Sequence, residues 1–286
     1  MPALWIALGV VAGLALLAGL LYWQIYVAEG AYLGQRAVTW LYDLTARKYD
    51  DIKQYDDDME AVFLGRPLAD ILRRVPGALV LDVATGTGRL PLALFAQPSF
   101  RGHVVGLDHS RRMLGIAAEK LAGHRHRVTL IWRDARCLPF AAGTFDTVTV
   151  LEMLEFTPDP EAQLAEAVRV LRPGGVLVTT RRRGWNARLM PGKTHSPDEF
   201  REVLARAGLA EVDILPWQVE YDLVWALKPG RVPSGVHHPL DVLRCPVCAA
   251  AAWEEQADRL CCSQCGTAYP VRNSIIEMNR HYPRQR

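Results

Sequence analysis

Two groups of residues in this 286-residue chain have the types and spacing to do chemistry. The first is Asp82-Val83-Ala84-Thr85-Gly86-Thr87-Gly88, which leaves a short β-branched run and leads into a helical stretch. Gly86 and Gly88 let the backbone approach a ligand, and the amino end of the next helix presents N–H groups that have no intrahelical partner. Such a turn suits a nucleotide. Asp108, twenty residues beyond Gly88 at the end of the next strand-like run, is placed to accept both hydroxyls of a ribose. A third run ends in Arg133-Asp134-Ala135, so acidic residues converge where strand ends gather; capping of the following helices is the ordinary alternative for Asp108 and Asp134. The second group is cysteine. Five of the six cysteines fall in the last 42 residues, where Cys245-Pro246-Val247-Cys248 and Cys262-Ser263-Gln264-Cys265 form two CxxC hooks separated by 13 residues. Four thiolates on two knuckles match a tetrahedral zinc with no open position, so a structural ion held by Cys245, Cys248, Cys262 and Cys265 is expected. Cys261, beside Cys262, leaves the third ligand ambiguous by one position.

Other chemistries fit less well. If Gly86 and Gly88 were the first two glycines of GxGxxG, the third would fall on Pro91, and starting from Ala84 puts Arg89 there, which disfavours a nicotinamide oxidoreductase. No GKS or GKT ends the turn as a phosphate loop requires. The 33 Lys and Arg nearly balance the 31 Asp and Glu, a net charge of +2, so no general field for nucleic acid exists and no nucleic-acid partner is expected. Half of the residues are hydrophobic and 22% are charged, which excludes a disordered chain.

Positioning these residues takes alternating strands and helices. Leu79 to Val83, His103 to Leu107, Val128 to Trp132, Phe145 to Leu151 and Gly175 to Thr180 read as strands, with helices at Arg89 to Phe95, Ser110 to Ala122 and Glu161 to Leu171. Repeated βαβ units imply a mainly parallel, doubly wound α/β sheet. Ser196-Pro197-Asp198-Glu199 is a capping box that opens a further helix, and Gly208 is its stop. Glu211 to Leu215 and Val219 to Leu227 add two more strands.

The amino end is different. Met1 to Ala28 contains no Asp, Glu, Lys, Arg or His, and Leu4 to Val27 supplies the roughly 20 apolar residues that cross a bilayer. Trp5 at one end and Tyr22, Trp23 and Tyr26 at the other suit the two interfaces. A cleaved signal peptide would need a basic start and a shorter apolar run, so an uncleaved anchor contacting the bilayer through residues 4–27 is the expectation. Arg36, Arg47 and Lys48 follow the span, which places the body in the cytoplasm as a single-pass membrane protein. Arg181, Arg182, Arg183, Arg188 and Lys193 form a basic cluster expected to face anionic headgroups.

Between about Thr45 and Leu227 the chain resembles the class I S-adenosylmethionine-dependent methyltransferases, particularly the ubiquinone and menaquinone methyltransferases. The pieces are Tyr49-Asp50, the Leu81-to-Gly88 turn, Val105-Gly106-Leu107-Asp108-His109-Ser110 with Met113-Leu114, Asp134-Ala135 with Leu138-Pro139-Phe140, Phe145-Asp146, and Arg169-Val170-Leu171-Arg172-Pro173-Gly174-Gly175. The resemblance implies a Rossmann-like fold and S-adenosylmethionine as cofactor. By position, Gly86 and Gly88 flank the amino acid end, with Ala84 and Thr85 in the same turn and Asp82 near the ammonium group. Asp108 holds the ribose beside His109, Asp134 and Ala135 contact the adenine edge, Leu151 and Glu152 lie by the sulfonium, and Tyr49 closes the site. Ala84 stands where the family has its first motif glycine. The stretch Glu152-Met153-Leu154-Glu155-Phe156 departs from the quinone group. No catalytic residue is named; Glu152, Glu155 and His195 are the base candidates if the acceptor must lose a proton. Leu243 to Cys248, Cys262 to Gly266 and Tyr269-Pro270-Val271 resemble the small zinc-ribbon proteins that activate methyltransferases, although Ser274-Ile275-Ile276 replaces their usual Gly-Ile-Pro.

The expected organisation is an anchor at 1–28, a helical linker and site lid at 29–68, the cofactor-binding methyltransferase domain at 69–230, a linker at 231–242 and the zinc ribbon at 243–286. The ribbon, as a separate segment, is expected either to be a lid or docking module for a protein partner or a second copy, or only to cap the chain as a stable fold, and to be dispensable for the cofactor site. The acceptor is expected to be a small lipid or quinone-like molecule. A non-catalytic cofactor-binding module that recruits a partner through the ribbon is the alternative.

Overall fold

The computed structural model describes residues 2–231 and 238–279, so part of the expected 231–242 linker and the end of the ribbon segment lie outside the described residues. Five strands form the parallel centre: β1 (Leu79–Val83), β2 (His103–Asp108), β3 (Val128–Trp132), β4 (Phe145–Val150) and β5 (Leu171–Arg182). β6 (Ala210–Pro216) and β7 (Tyr221–Leu227) add an antiparallel edge. β8 (Trp253–Gln256), β9 (Arg259–Cys262), β10 (Ala268–Arg272) and β11 (Ile275–Glu277) follow. All eleven strands join one sheet in the order β6-β7-β5-β4-β1-β2-β3-β11-β10-β9-β8. The order reverses between β1 and β4, and such a switch point opens a crevice at the carboxyl ends of the strands.

The helices are α1 (Pro2–Tyr22), α2 (Gln35–Thr45), α3 (Tyr49–Lys53), α4 (Asp57–Glu60), α5 (Arg66–Leu72), α6 (Arg89–Phe95), α7 (Arg111–Lys120), α8 (Pro160–Val170), α9 (Gly184–Arg188), α10 (Pro197–Arg206) and α11 (Pro239–Val242). Side chains decide their starts. Ser110 caps α7 by accepting from Met113 N at 3.0 Å, and Asp159 caps α8 by accepting from Ala162 N at 3.0 Å. The capping box of α10 forms, with Ser196 N donating to Glu199 Oε2 at 2.7 Å. β1 is buried along its whole length, as a strand covered by helices on both faces must be.

Three expectations change. β5 begins at Leu171, before the expected Gly175, because the last turn of α8 passes directly into extended chain. Gly175 allows this approach to β4, since a Cβ there would sit 2.8 Å from Asp146 O. Second, most of the basic cluster is engaged internally. Arg181 pairs with Asp222, Arg182 with Glu220 at 2.9 Å, Arg183 with Asp222 at 3.2 Å, and Lys193 donates to Thr157 O; Arg188 stays exposed. Carboxylates on and beside the neighbouring β7 draw these arginines inward.

Third, the ribbon is not a separate appendage. β11 pairs in parallel with β3, Ile275 to Leu130 and Ile276 to Ile131, and Met278 N donates to Trp132 O at 3.0 Å. Arg244 N donates to Pro139 O at 2.7 Å, and Leu243, Leu260, Tyr269 and Ile276 share one core with Leu138 and Phe140. An open β3 edge would be a row of unpaired backbone groups, and β11 covers it.

The chain from Ala3 to Val27 forms a continuous apolar helical run, long enough to cross a membrane and without buried residues.

Candidate functional site

A cavity opens at the switch point. Its floor is the turn after β1. Ala84, Gly86 and Gly88 have φ of +58°, +55° and +88°, so three left-handed residues wind the chain tightly before α6. The alanine bears a strain that glycine would avoid. Thr85 N donates to Leu107 O at 3.1 Å, and Gly106 leaves room for the Thr85 side chain, which a Cβ would meet at 3.1 Å.

Two carboxylates order this floor. Asp82 accepts from Thr85 Oγ1 and Thr149 Oγ1, both at 2.6 Å. Burial pushes its pKa up to about 6, although the two hydroxyls favour the charged form. Asp108 accepts from Gly86 N at 2.8 Å and Ser110 N at 2.7 Å, which ties the β1 turn to the end of β2. Burial raises its pKa against those bonds.

The lid comes from α2 and α3. Ser110 Oγ donates to Asp43 at 2.5 Å, Thr87 Oγ1 donates to Asp50 at 2.6 Å, and Lys120 pairs with Asp50. Gln35, Val38, Thr39 and Tyr42 of α2 thereby roof the cavity with Tyr49 and Tyr55. Burial raises the pKa of all three tyrosines, so their phenols remain protonated donors.

At the inner end lies a desolvated charge network. Arg89 donates to Glu152 and to Glu60, each at 2.6 Å, and its guanidinium lies 3.9 Å from the Tyr55 ring centre and 4.3 Å from that of Trp217. Lys53 bridges Glu152 at 3.7 Å and Glu29 at 3.1 Å. Glu152 has φ +49°, a conformation held by its N–H donating to Thr180 Oγ1 at 2.7 Å. Backbone strain of about 1–3 kcal/mol persists where surroundings over-determine it, often at functional sites.

The cavity gathers Tyr49, Asp82, Ala84, Thr85, Gly86, Asp108, His109, Ala135, Leu151 and Glu152 from the sequence reading. Two expected residues do not line it. Gly88 starts α6 against Leu121 and Ala117, and Asp134 folds its carboxylate onto Arg136 N and Nε, both at 2.9 Å. The sequence reading missed Arg89, the α2 residues, and Met153 and Phe156. One available signal was the amphipathic spacing of Val38 and Tyr42, four apart on one helix face.

The cysteines also converge. Sγ atoms of Cys245, Cys248, Cys262 and Cys265 all lie within 4.8 Å of one another, with Cys245 to Cys265 at 3.7 Å and Cys248 to Cys262 at 3.6 Å. A tetrahedral ion with metal–sulfur bonds of about 2.3 Å needs sulfurs about 3.8 Å apart, so the cage fits. All six cysteines are free thiols, and Cys261 stands outside the cluster.

Residues 80–175 match the family model described as "Methyltransferase domain". Over this stretch the chain is similar to methyltransferase domains. The demethylmenaquinone methyltransferase of Desulfitobacterium hafniense is 41% identical to it over 106 residues, 36% of this chain and 42% of that protein. The ubiquinone/menaquinone biosynthesis C-methyltransferase of Rhizobium johnstonii is 33% identical over 155 residues, 50% of this chain and 57% of that protein. The chain thus spans about half the length of these relatives. The methyltransferase fold is shared with a SAM-dependent methyltransferase from Aquifex aeolicus, with a TM-score of 0.51 at 22% identity over 65% of this chain and 98% of that one. A chain of the complex between the Haloferax volcanii Trm112 methyltransferase activator and a methyltransferase gives a TM-score of 0.51 at 23% identity, covering 66% of this chain and 98% of that one.

Proposed function

We propose that this protein is a membrane-anchored S-adenosylmethionine-dependent methyltransferase acting on a lipid or quinone-like acceptor. The observation that carries the reading is the left-handed β1 turn tied to Asp108 on one cavity, inside a domain that matches methyltransferases. Asp108 keeps lone pairs for the ribose hydroxyls, Ala135 packs beside the adenine, and Asp82 sits below the turn as the counter-charge of the ammonium group.

Methyl transfer requires an in-line approach to a methyl already activated by positive sulfur, so positioning supplies most of the acceleration. The tyrosine-rich roof with Leu151, Met153 and Phe156 suits an aromatic acceptor that carries oxygen, and the phenols can donate to it. Glu152 is committed to Arg89 and Lys53, which makes it a positioning group for the inner wall and a poor base. Relatives named for menaquinone and ubiquinone support the acceptor class. The apolar run at 3–27 supports anchoring, because an anchor raises effective concentration mainly toward acceptors in the same bilayer, and Arg36, Arg47 and Lys48 after it support a body on the cytoplasmic side. The four-cysteine cage is assigned to one structural zinc.

Isothermal titration of the full chain with S-adenosylmethionine tests the cofactor, and absence of heat at millimolar ligand would end the reading. Asp108→Ala should weaken binding by about 1–3 kcal/mol, since Gly86 N and Ser110 N lose their acceptor along with the ribose. Labelled-methyl transfer into total membrane lipid extract tests catalysis: a labelled lipid names the acceptor class, whereas binding without transfer would favour the non-catalytic module.

The raised pKa of Asp82 sets a pH dependence. With its pKa at about 6 in the free protein, the ionised form that pairs with ammonium is lost as pH falls through 6. Affinity should therefore be flat above pH 7 and fall by up to about tenfold per unit below pH 6. Asp82→Asn should bind weakly at every pH and lose that slope; an unchanged slope would remove Asp82 from the ammonium end.

A further inference from the structure

Helix α2 has two working faces. Val38 and Tyr42 point into the cavity roof, while Arg36, Trp40 and Leu44, spaced four apart, point outward. Trp40 is 63% exposed and Leu44 64%, and Leu33 just ahead of the helix is 65% exposed. A tryptophan and a leucine left outward on an 11-residue helix, with a second leucine just ahead of it, are unusual for a surface that meets only water.

A second exposed tryptophan, Trp185, belongs to the same lobe. Trp23, half-buried at the end of the long apolar helix, donates from Nε1 to Leu189 O at 3.0 Å, and Tyr32 OH donates to Pro191 O at 2.9 Å. Ala31, Val38, Phe156 and Met190 form one small core beneath. These contacts hold α9, with Trp185 69% exposed, beside the point where the apolar helix ends and close to α2. The charges agree with the placement. Arg36, Arg47, Lys48 and Arg188 are exposed on this lobe, against the exposed Asp51, whereas two other carboxylates turn inward: Glu29 holds Lys53 and Tyr42, and Asp43 accepts from Ser110.

We propose that the outer face of α2 together with α9 is a bilayer-docking surface, with Trp40, Leu44 and Trp185 at the headgroup boundary and Arg36, Arg47, Lys48 and Arg188 on anionic phosphates. Two observations select a lipid surface over a protein partner: the face follows directly in the chain from the end of the apolar span, and it combines tryptophan with an excess of cations, the composition of interfacial helices. The inference rests on the anchor reading above and extends it. One helix separates the lipid surface from the cavity, so a bilayer-resident acceptor would reach Tyr42 by passing along α2 without leaving the membrane.

The test uses the full chain in vesicles of phosphatidylcholine with a minority of phosphatidylglycerol, some lipids carrying brominated acyl chains that quench nearby tryptophan. Trp5, Trp23, Trp40 and Trp185 are then the membrane-contacting tryptophans. The double variant Trp40→Phe with Trp185→Phe, which leaves apolar surface in place, should lose roughly half of the quenchable intensity, two of the four reporters being gone. Hydrogen exchange at 35–45 should slow in vesicles relative to detergent. Equal quenching in wild type and double variant, with the chain still resistant to alkaline extraction, would overturn the docking surface and keep the anchor. Absence of quenching with release at alkaline pH would overturn both. Shielding of Trp40 and Trp185 from acrylamide that grows with protein concentration, without lipid quenching, would give the face to a second copy and overturn the proposal.

Discussion

Replacing Arg89 with methionine should cost the folded protein about 3–5 kcal/mol, the usual penalty for removing one partner from a buried ionic cluster. Arg89 is the shared counter-charge of Glu60 and Glu152, and the side chains of all three are less than a tenth exposed. Without the guanidinium, both carboxylates face Tyr55 and Trp217 in place of a cation, and Lys53 at 3.7 Å remains close to Glu152 only. Methionine keeps much of the volume, so the loss is mainly electrostatic. That makes a second, signed expectation. Burial already holds the Glu60 pKa above its ordinary value against the pull of Arg89, and without the guanidinium that rise grows, so the variant regains stability as pH falls through the folded value toward the unfolded one. Chemical denaturation at pH 7.5 and pH 5 measures both. Adding Glu60→Gln and Glu152→Gln to the variant should restore part of the stability at pH 7.5. A loss under about 1 kcal/mol, equal at both pH values, is the result typical of solvated pairs and would mean the network is not desolvated.

The second large effect is expected from the cysteine cage. Structural zinc contributes about 10–16 kcal/mol of binding free energy in small zinc peptides, so Cys262→Ser or chelation should unfold β8 to β11 as a unit. The damage should not stop there. β11 is hydrogen-bonded to β3, and Arg133, almost fully buried, donates to Met278 O at 3.3 Å as well as to Cys137 O at 3.1 Å. From β3 the path to the cofactor floor is one bond long, Trp132 Nε1 to His109 O at 2.8 Å. S-adenosylmethionine affinity should drop by about 1 kcal/mol, the worth of one such bond, and amides of 128–132 should lose exchange protection. Cys261→Ser is the control, since that thiol stands outside the cage and should leave metal content at one per chain. Unfolding of the ribbon with cofactor affinity and β3 protection intact would show that the two parts stand alone.

How much was legible in the sequence follows from the range of each interaction. The βαβ alternation, the capping box at Ser196, the tight turn at Gly86 and Gly88 and the two CxxC hooks are set by neighbours within a few residues, so residue type and spacing determine them. Asp108 could be placed for the same reason: a strand end of known polarity lies beside the turn at a switch point. Asp134 shows the limit. Its position at a strand end was readable, but a carboxylate there has two partners within reach, and Arg136 two residues on wins it from the cavity. The ion-pair cluster around Arg89 joins Glu29, Lys53, Glu60 and Glu152 from four separate stretches, and no local pattern announces contacts across 24 to 99 residues. The basic run 181–183 reads as surface charge until β7 brings Asp222 and Glu220 against it. The ribbon is the clearest division. The spacing of its two CxxC hooks brings four thiols toward one cage, and the fold decides that Cys262, not Cys261, completes it. Its docking onto β3 was decided only in the folded protein, because an unpaired strand edge binds any complementary backbone, and backbone hydrogen bonding carries no residue code.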